Sequence, residues 1–370
     1  MSEPVIPAYG TGTLAELLPA IGAQLGVPGA SDPLGLPAAD RYVVLLIDGL
    51  GWHQREHWDV APFLSGLAGR PITCGVPSTT ATSITSFGTG LAPGQHGIAG
   101  YSFRYPATGQ VLNTLQWASG VHPLDVQPQL TYLERLASAG IRTATVGPAR
   151  FAGSGLTTVA LRDGTFLGVA DEDDHPQRID LASDAARGGD RSLVYVYERS
   201  LDHTGHGRGV GSLQWRAALA RCDELARALR DALPEQTRLV ITGDHGMINV
   251  PETARLVVED EPELLSGVGS FAGEGRFRQL YTAPGQTESV LRRWQERLGE
   301  DAWVVSRRQA FEAGWFGPMN PRVEERFGDV LVAMRGDGAV MTRTLPKEFS
   351  LVGMHGSLTA AEMTVPLLVC

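Results

Sequence analysis

An unbroken apolar run, Tyr42 to Ile47, ends on Asp48 and Gly49. No polar residue alternates within it. Both faces of the strand it predicts must therefore be covered, and a carboxylate stands at its C-terminal edge. Similar runs recur at 143–147, 193–197, 238–246 and 329–334. Between them apolar residues return at helical spacing, most clearly over 130–140 and 213–233. Strands alternating with helices predict a three-layer α/β/α sandwich around a mostly parallel central sheet.

Two stretches break this alternation. Residues 1–40 read as an N-terminal arm with one short helix, whose apolar face is Leu14, Leu17, Leu18 and Ile21. Residues 250–325 begin with an acidic cluster at 259–263 and a glycine-interrupted stretch at 266–275. A helix at 287–298 and a strand at 302–306 follow. The organisation expected is a catalytic α/β domain over 41–249 and 326–370, interrupted by a small α+β cap at 250–325. No tandem repeat is present.

In such sheets ligands bind beyond the carboxyl ends of the strands. Asp48, Asp202, Asp244 and His245 all fall at or just after such ends. Each lies near glycine, as do His206 (Gly205-His206-Gly207) and His355 (His355-Gly356). Carboxylates with neutral imidazoles are the ligand set of zinc and its first-row neighbours. Three aspartates and three histidines exceed one tetrahedral ion and suit two.

A hydroxyl-rich run from Ser78 to Thr89 follows Pro77 and predicts a helix start. A hydroxyl there sits where backbone N–H groups and the helix dipole favour negative charge. A metal beside it would lower its pKa and make it a nucleophile. The competing reading is a run that only caps its helix.

In this order the motifs resemble the alkaline phosphatase superfamily, and within it the nucleotide pyrophosphatase/phosphodiesterase branch. Pro77-Ser-Thr-Thr80 and Thr89-Gly-Leu-Ala-Pro-Gly-Gln-His-Gly-Ile98 match that branch without a gap. The resemblance implies Thr80 as nucleophile and two Zn2+ ions, with other divalent first-row metals as substitutes. Asp202, His206 and His355 would hold one; Asp48, Asp244, His245 and the Thr80 oxygen would hold the other. It implies hydrolysis of phosphodiesters or nucleotide pyrophosphates through a threonyl-phosphate, with the Ala81 N–H as an oxyanion donor. The branch carries an asparagine where this chain has Tyr101. Either Tyr101 or Asn113 is then the substrate contact.

Composition narrows the partners. The chain of 370 residues is 43% hydrophobic and 19% charged, a folded globular composition. Its net charge of −10 argues against a nucleic-acid polymer and leaves a small phosphate ester or nucleotide as the substrate. Cys74, Cys222 and Cys370 form no disulfide framework. No basic, apolar leader is visible, and no run approaches the roughly 20 apolar residues of a membrane span. A cytoplasmic location is the expectation.

Other readings use the same residues or rival ones. A phosphomonoesterase or phosphonate hydrolase would employ the same metals. His53, Glu56 and His57 spell H-x-x-E-H, the inverted zinc-peptidase pattern, on what reads as a surface helix. A catalytically silent binding protein is the non-enzymatic reading. Cys74 reads as a packing residue. Trp294, Trp303 and Trp315 read as the core of the cap. His96, His122, His175 and His203 have no partners that lift them above structural roles.

Overall fold

The computed structural model describes residues 3–370. The sheet strands in chain order are β1 (Arg41–Ile47), β2 (Gly69–Thr73), β3 (Arg142–Pro148), β4 (Thr165–Val169), β5 (Ser192–Glu198) and β6 (Thr237–Thr242). In the inserted region come β7 (Val268–Glu274), β8 (Phe277–Thr282), β9 (Ala302–Ser306) and β10 (Val330–Met334). The last is β11 (Thr364–Val369).

The central seven-stranded sheet has the order β2-β11-β6-β1-β5-β3-β4. Only β11 runs against the rest, pairing antiparallel with β2 and β6. The strand pairs β6–β1, β1–β5, β5–β3 and β3–β4 are all parallel. The continuous apolar run of β1 is explained by its two neighbours and two covered faces. Tyr42, Val44 and Leu46 point into one core. Val43, Leu45 and Ile47 point into the other.

The first core is closed by α1 (Leu17–Gln24), α2 (Thr80–Thr89), α3 (Tyr132–Ser138) and α4 (Gly155–Leu161). The second is closed by α5 (His175–Ala186), with α6 (Ser200–Arg208) and α7 (Leu213–Ala232) on the same side. In α7, Trp215, Leu219, Cys222, Leu225 and Leu229 recur at helical spacing and are all buried. The arm is part of the first core: Leu14, in the 3-10 turn before α1, and Leu17, Leu18 and Ile21 of α1 are fully covered.

The second sheet has the order β7-β8-β10-β9 and is antiparallel throughout. Here the sequence reading needs a correction. The run 329–334 is a strand, but it lies inside this sheet rather than in the parallel one. Val330, Val332 and Met334 pack on α8 (Thr287–Leu298), while Leu331 and Ala333 face the core shared with the main sheet. Burial on both faces gives an unbroken apolar run whichever way the neighbouring strands point. Trp294, Trp303 and Trp315 are buried, but only Trp294 lies in the second sheet's own core, while Trp303 and Trp315 pack into the core shared with the main sheet. Among the described residues no helix is long and apolar enough to cross a membrane.

Candidate metal and phosphate-ester site

Three carboxylates follow three adjacent strands. Asp48 comes directly after β1, Asp244 two residues after β6, and Asp202 in the first turn of α6 just beyond β5. Parallel pairing in the order β6-β1-β5 brings these ends side by side. The Asp202 N–H donates to the Asp48 carbonyl at 3.1 Å, which docks α6 on the β1 turn. Gly49 makes that approach possible. Its φ is +75°, and a Cβ there would meet the Asp202 Cβ at 3.0 Å.

The histidines are set by their own hydrogen bonds. His245 Nδ1 lies 2.9 Å from the Gly246 carbonyl, His206 Nδ1 2.8 Å from the Gly353 carbonyl, and His355 Nδ1 3.0 Å from the Ser78 carbonyl. A carbonyl only accepts, so Nδ1 carries the proton in each ring and Nε2 is left with its lone pair. Those Nε2 atoms face the carboxylates. His245 Nε2 is 3.4 Å from Asp48 and 3.6 Å from Asp244. His206 Nε2 is 3.4 Å and His355 Nε2 3.8 Å from Asp202.

Ligand atoms of Asp48, Asp244 and His245 lie within 4.8 Å of one another, as do those of Asp202, His245 and His355. His245 thus stands between the two groups. Its ring stacks on that of His355 at 3.7 Å between centroids. Thr80 Oγ1 lies 3.2 Å from His245 Nε2, so its hydroxyl donates there. Thr80 is the first residue of α2, whose N-cap is Thr79 without a side-chain capping bond. The capping reading of the hydroxyl run therefore has no support at Thr80.

The residues present fit a pair of cations. Asp48 Oδ2 accepts from the Tyr197 hydroxyl, and Asp244 Oδ1 from the N–H groups of Gly49 and His245. Asp48 Oδ1, Asp244 Oδ2 and Asp202 Oδ1 are buried and have no hydrogen-bond partner. Orphaned carboxylate oxygens facing imidazole lone pairs are costly without positive charge between them. Burial, then the nearby Asp244 and Asp202, hold the Asp48 carboxyl well above the usual carboxylate range. Burial, then His245 and His206, hold the His355 imidazole well below its ordinary value.

A cavity of about 520 Å³ opens on this cluster. Ala81 and Tyr101 line it. Asn113 does not: its Oδ1 accepts from the N–H groups of Leu115 and Gln116 and closes the turn of its own hairpin. His203, set aside as structural, lines the cavity and is exposed. Partial desolvation against the cavity wall lowers its pKa, with Arg199 adding to the effect. His53, Glu56 and His57 belong to neither candidate metal group. His57 packs edge-on against Trp215.

Two residues of the site were not read from the sequence. Tyr197 holds Asp48 and was legible only as the second tyrosine on one face of β5. Glu274, at the end of β7, accepts from Thr79 Oγ1 at 3.4 Å, lies 3.7 Å from His355 Nδ1 and keeps Oε1 unpartnered. Burial raises its pKa well above the usual range. Nothing in the glycine-interrupted stretch around it signals a site.

The sequence profile of the type I phosphodiesterase / nucleotide pyrophosphatase family matches residues 42–358. Human ectonucleotide pyrophosphatase/phosphodiesterase family member 7 is 25% identical over 341 residues, covering 84% of this chain and 70% of that protein. Among solved structures, murine ectonucleotide pyrophosphatase/phosphodiesterase 5 superposes with a TM-score of 0.70 at 16% identity, covering 88% of this chain and 87% of that one. Phosphonoacetate hydrolase from Sinorhizobium meliloti, in complex with phosphonoformate, superposes at 0.69 with 18% identity over 90% of each chain. With its fold, its strand-end aspartates and a family match over most of its length, the chain belongs to the type I phosphodiesterase/nucleotide pyrophosphatase family, a branch of the alkaline phosphatase superfamily of phosphoric ester hydrolases.

Proposed function

We propose that the chain hydrolyses phosphodiesters or nucleotide pyrophosphates with Thr80 as nucleophile and two divalent ions, zinc by the nature of the ligands. Asp48, Asp244, His245 and the Thr80 oxygen would hold one ion, and Asp202, His206 and His355 the other. The observation that carries the reading is the set of three Nε2 lone pairs and three orphaned carboxylate oxygens converging beside one threonine hydroxyl. When bound, the ions supply the positive charge that lowers the threonine pKa and offsets charge on the reacting oxygens.

The chain's own residues do the rest. Thr80 Oγ1 attacks phosphorus in line, the P–O bond opposite it breaks, and the departing alcohol or phosphate takes up the proton that threonine loses. Water then cleaves the threonyl-phosphate and restores the hydroxyl. At the start of α2 the Ala81 N–H and the helix dipole favour the phosphoryl oxygens. The Tyr101 hydroxyl, in the cavity wall, is a further donor.

Glu274 beside His355 brings no positive charge to the site, which supports a monoanionic diester over a dianionic monoester. Arg150 and Arg199, which line the cavity, are both paired with Glu172. The test is metal content by elemental analysis, with turnover of bis-p-nitrophenyl phosphate and p-nitrophenyl phosphate before and after chelation. The diester should be preferred, and zinc should restore it. Full activity in demetallated protein would overturn the proposal; a monoester or phosphonate preference would move it to the second reading on the same residues.

A further inference from the structure

Arg276 and Arg278, at the start of β8, are completely buried, and the phosphoryl chemistry uses neither. Arg278 pairs with Glu348 in the cavity wall. Arg276, one residue ahead of the strand, reaches into the main domain instead. Its Nε and Nη2 donate to the two carboxylate oxygens of Glu362 at 3.0 and 2.7 Å, a bidentate pair with no exposed surface on either side. Nη1 donates to the Gly338 carbonyl, and Nη2 also to the Met334 carbonyl at 3.2 Å. Glu362 lies two residues ahead of β11.

Glu362 stands where three loops of the site meet. Its Oε1 also accepts from the Ser357 N–H at 3.0 Å, two residues past His355. Its Oε2 accepts from the Thr359 hydroxyl at 2.5 Å. Its backbone carbonyl accepts from the Gly246 N–H at 2.8 Å, and the Gly246 carbonyl is the group that orients the His245 ring. The approach is tight: a Cβ on Gly246 would lie 1.9 Å from the Ala361 carbonyl oxygen. The Ser357 carbonyl accepts from the Ser78 hydroxyl at 2.7 Å, and the Ser78 carbonyl orients His355. Ser78 comes two residues before Thr80. One glutamate therefore ties down a histidine of each proposed ion and the approach to the nucleophile helix.

Resting on the proposed two-ion reading, we propose that Arg276 and Glu362 are positioning residues for both ions, so that the inserted region helps to build the metal centre as well as to wall the cavity. Stability does not account for the pair. The cost of desolvating two charges roughly offsets their attraction, and apolar residues of similar volume commonly serve as well. What an apolar pair cannot do is accept from Ser357 and Thr359. Without those acceptors the 355–362 loop loses the bonds that fix the Nε2 direction of His355 and, through Gly246, that of His245. Outer bonds of this kind set how strongly the ligands hold a metal.

The test separates placement from stability. Arg276→Met combined with Glu362→Leu removes both charges together. The metal-free double variant should melt near the wild-type temperature, whereas each single substitution strands a buried charge and should lower it. Zinc affinity, read by chelator competition, should fall roughly 10–100-fold for both ions in the double variant. With zinc saturating, kcat for bis-p-nitrophenyl phosphate should fall at least about tenfold while KM moves less than about threefold. Arg276→Lys keeps the charge but not the fork, and should recover only part of the affinity. If the double variant does not fold, Arg276→Lys decides: a zinc affinity lowered at least about threefold supports the proposal, and an unchanged one overturns it. Wild-type affinity and kcat in a folded double variant would make the pair purely structural and overturn the proposal, as would weakening of one ion alone. Failure of the parent reading looks different: the wild-type protein itself would take up no zinc.

Discussion

Thr80 stands first in its helix without capping it, and its hydroxyl points at His245. Thr80→Ala therefore removes an oxygen that no packing or capping contact uses. The expected outcome is loss of diester turnover by roughly a thousandfold or more, with metal content and melting temperature close to wild type. Turnover within tenfold of wild type would exclude Thr80 as the nucleophile. Tyr197 acts one step further out. Its hydroxyl donates to one Asp48 oxygen and leaves the other free to face His245. Tyr197→Phe should weaken metal binding by roughly 10–100-fold, as loss of a group that orients a ligand does. Chelator competition reads this directly, and an unchanged affinity would remove Tyr197 from the metal-holding set.

At the scale of elements, α2 is held in place by His96, which is buried and lies two residues before Ile98. The Ile98 N–H donates to His96 Nδ1 at 3.1 Å, so the ring's proton is on Nε2 and is donated to Ser86 Oγ of α2 at 2.9 Å. Both nitrogens are used in the neutral form, and a second proton would oppose the Ile98 N–H. Burial, with Arg326 nearby, lowers the His96 pKa to about 3. Its folded pKa lies below the unfolded value of about 6.5. The unfolded chain thus binds more protons between the two, and the stabilisation is complete above pH 6.5 and lost as pH falls. The cost is about 1.4 kcal/mol per pH unit over that window. His96→Asn keeps an acceptor for Ile98 without the titration, so urea midpoints of wild type and variant should converge between pH 6.5 and 4.5. Parallel pH profiles would show that His96 stays out of the stability balance of the nucleophile helix.

Across the whole molecule, what could be read from the sequence follows burial. Strands covered on both faces, such as β1, β5 and β6, print as apolar runs, and the aspartates at their ends were found with them. The run of β10 prints the same way, which is why its sheet was misassigned. The strands β2, β4 and β11 carry glycine, proline or exposed positions and left no clear pattern. Glu274 joins the site where distant segments meet, so no local pattern encodes it. Convergence of six ligands has a consequence for stability that involves the entire fold. Without ions, Asp48 folds with its pKa raised by burial and by Asp244 and Asp202. The folded state then binds a proton that the unfolded chain has released, so its contribution is present at low pH and lost as pH rises through the raised pKa. His355, lowered by burial and its histidine neighbours, works oppositely but only up to its unfolded value of about 6.5. Metal-free protein should therefore weaken as pH rises through the raised pKa of Asp48. Bound zinc uses the deprotonated carboxylates and adds about 2.7 kcal/mol per site at a hundredfold excess over Kd. The melting temperature of zinc-loaded protein should therefore exceed that of chelated protein by roughly 3 °C per site. That gap should widen as pH rises through the titration of Asp48, and scanning calorimetry with and without chelator measures it. A gap absent at every pH would mean that these six side chains hold no ion, and the phosphoryl chemistry assigned to them would go with it.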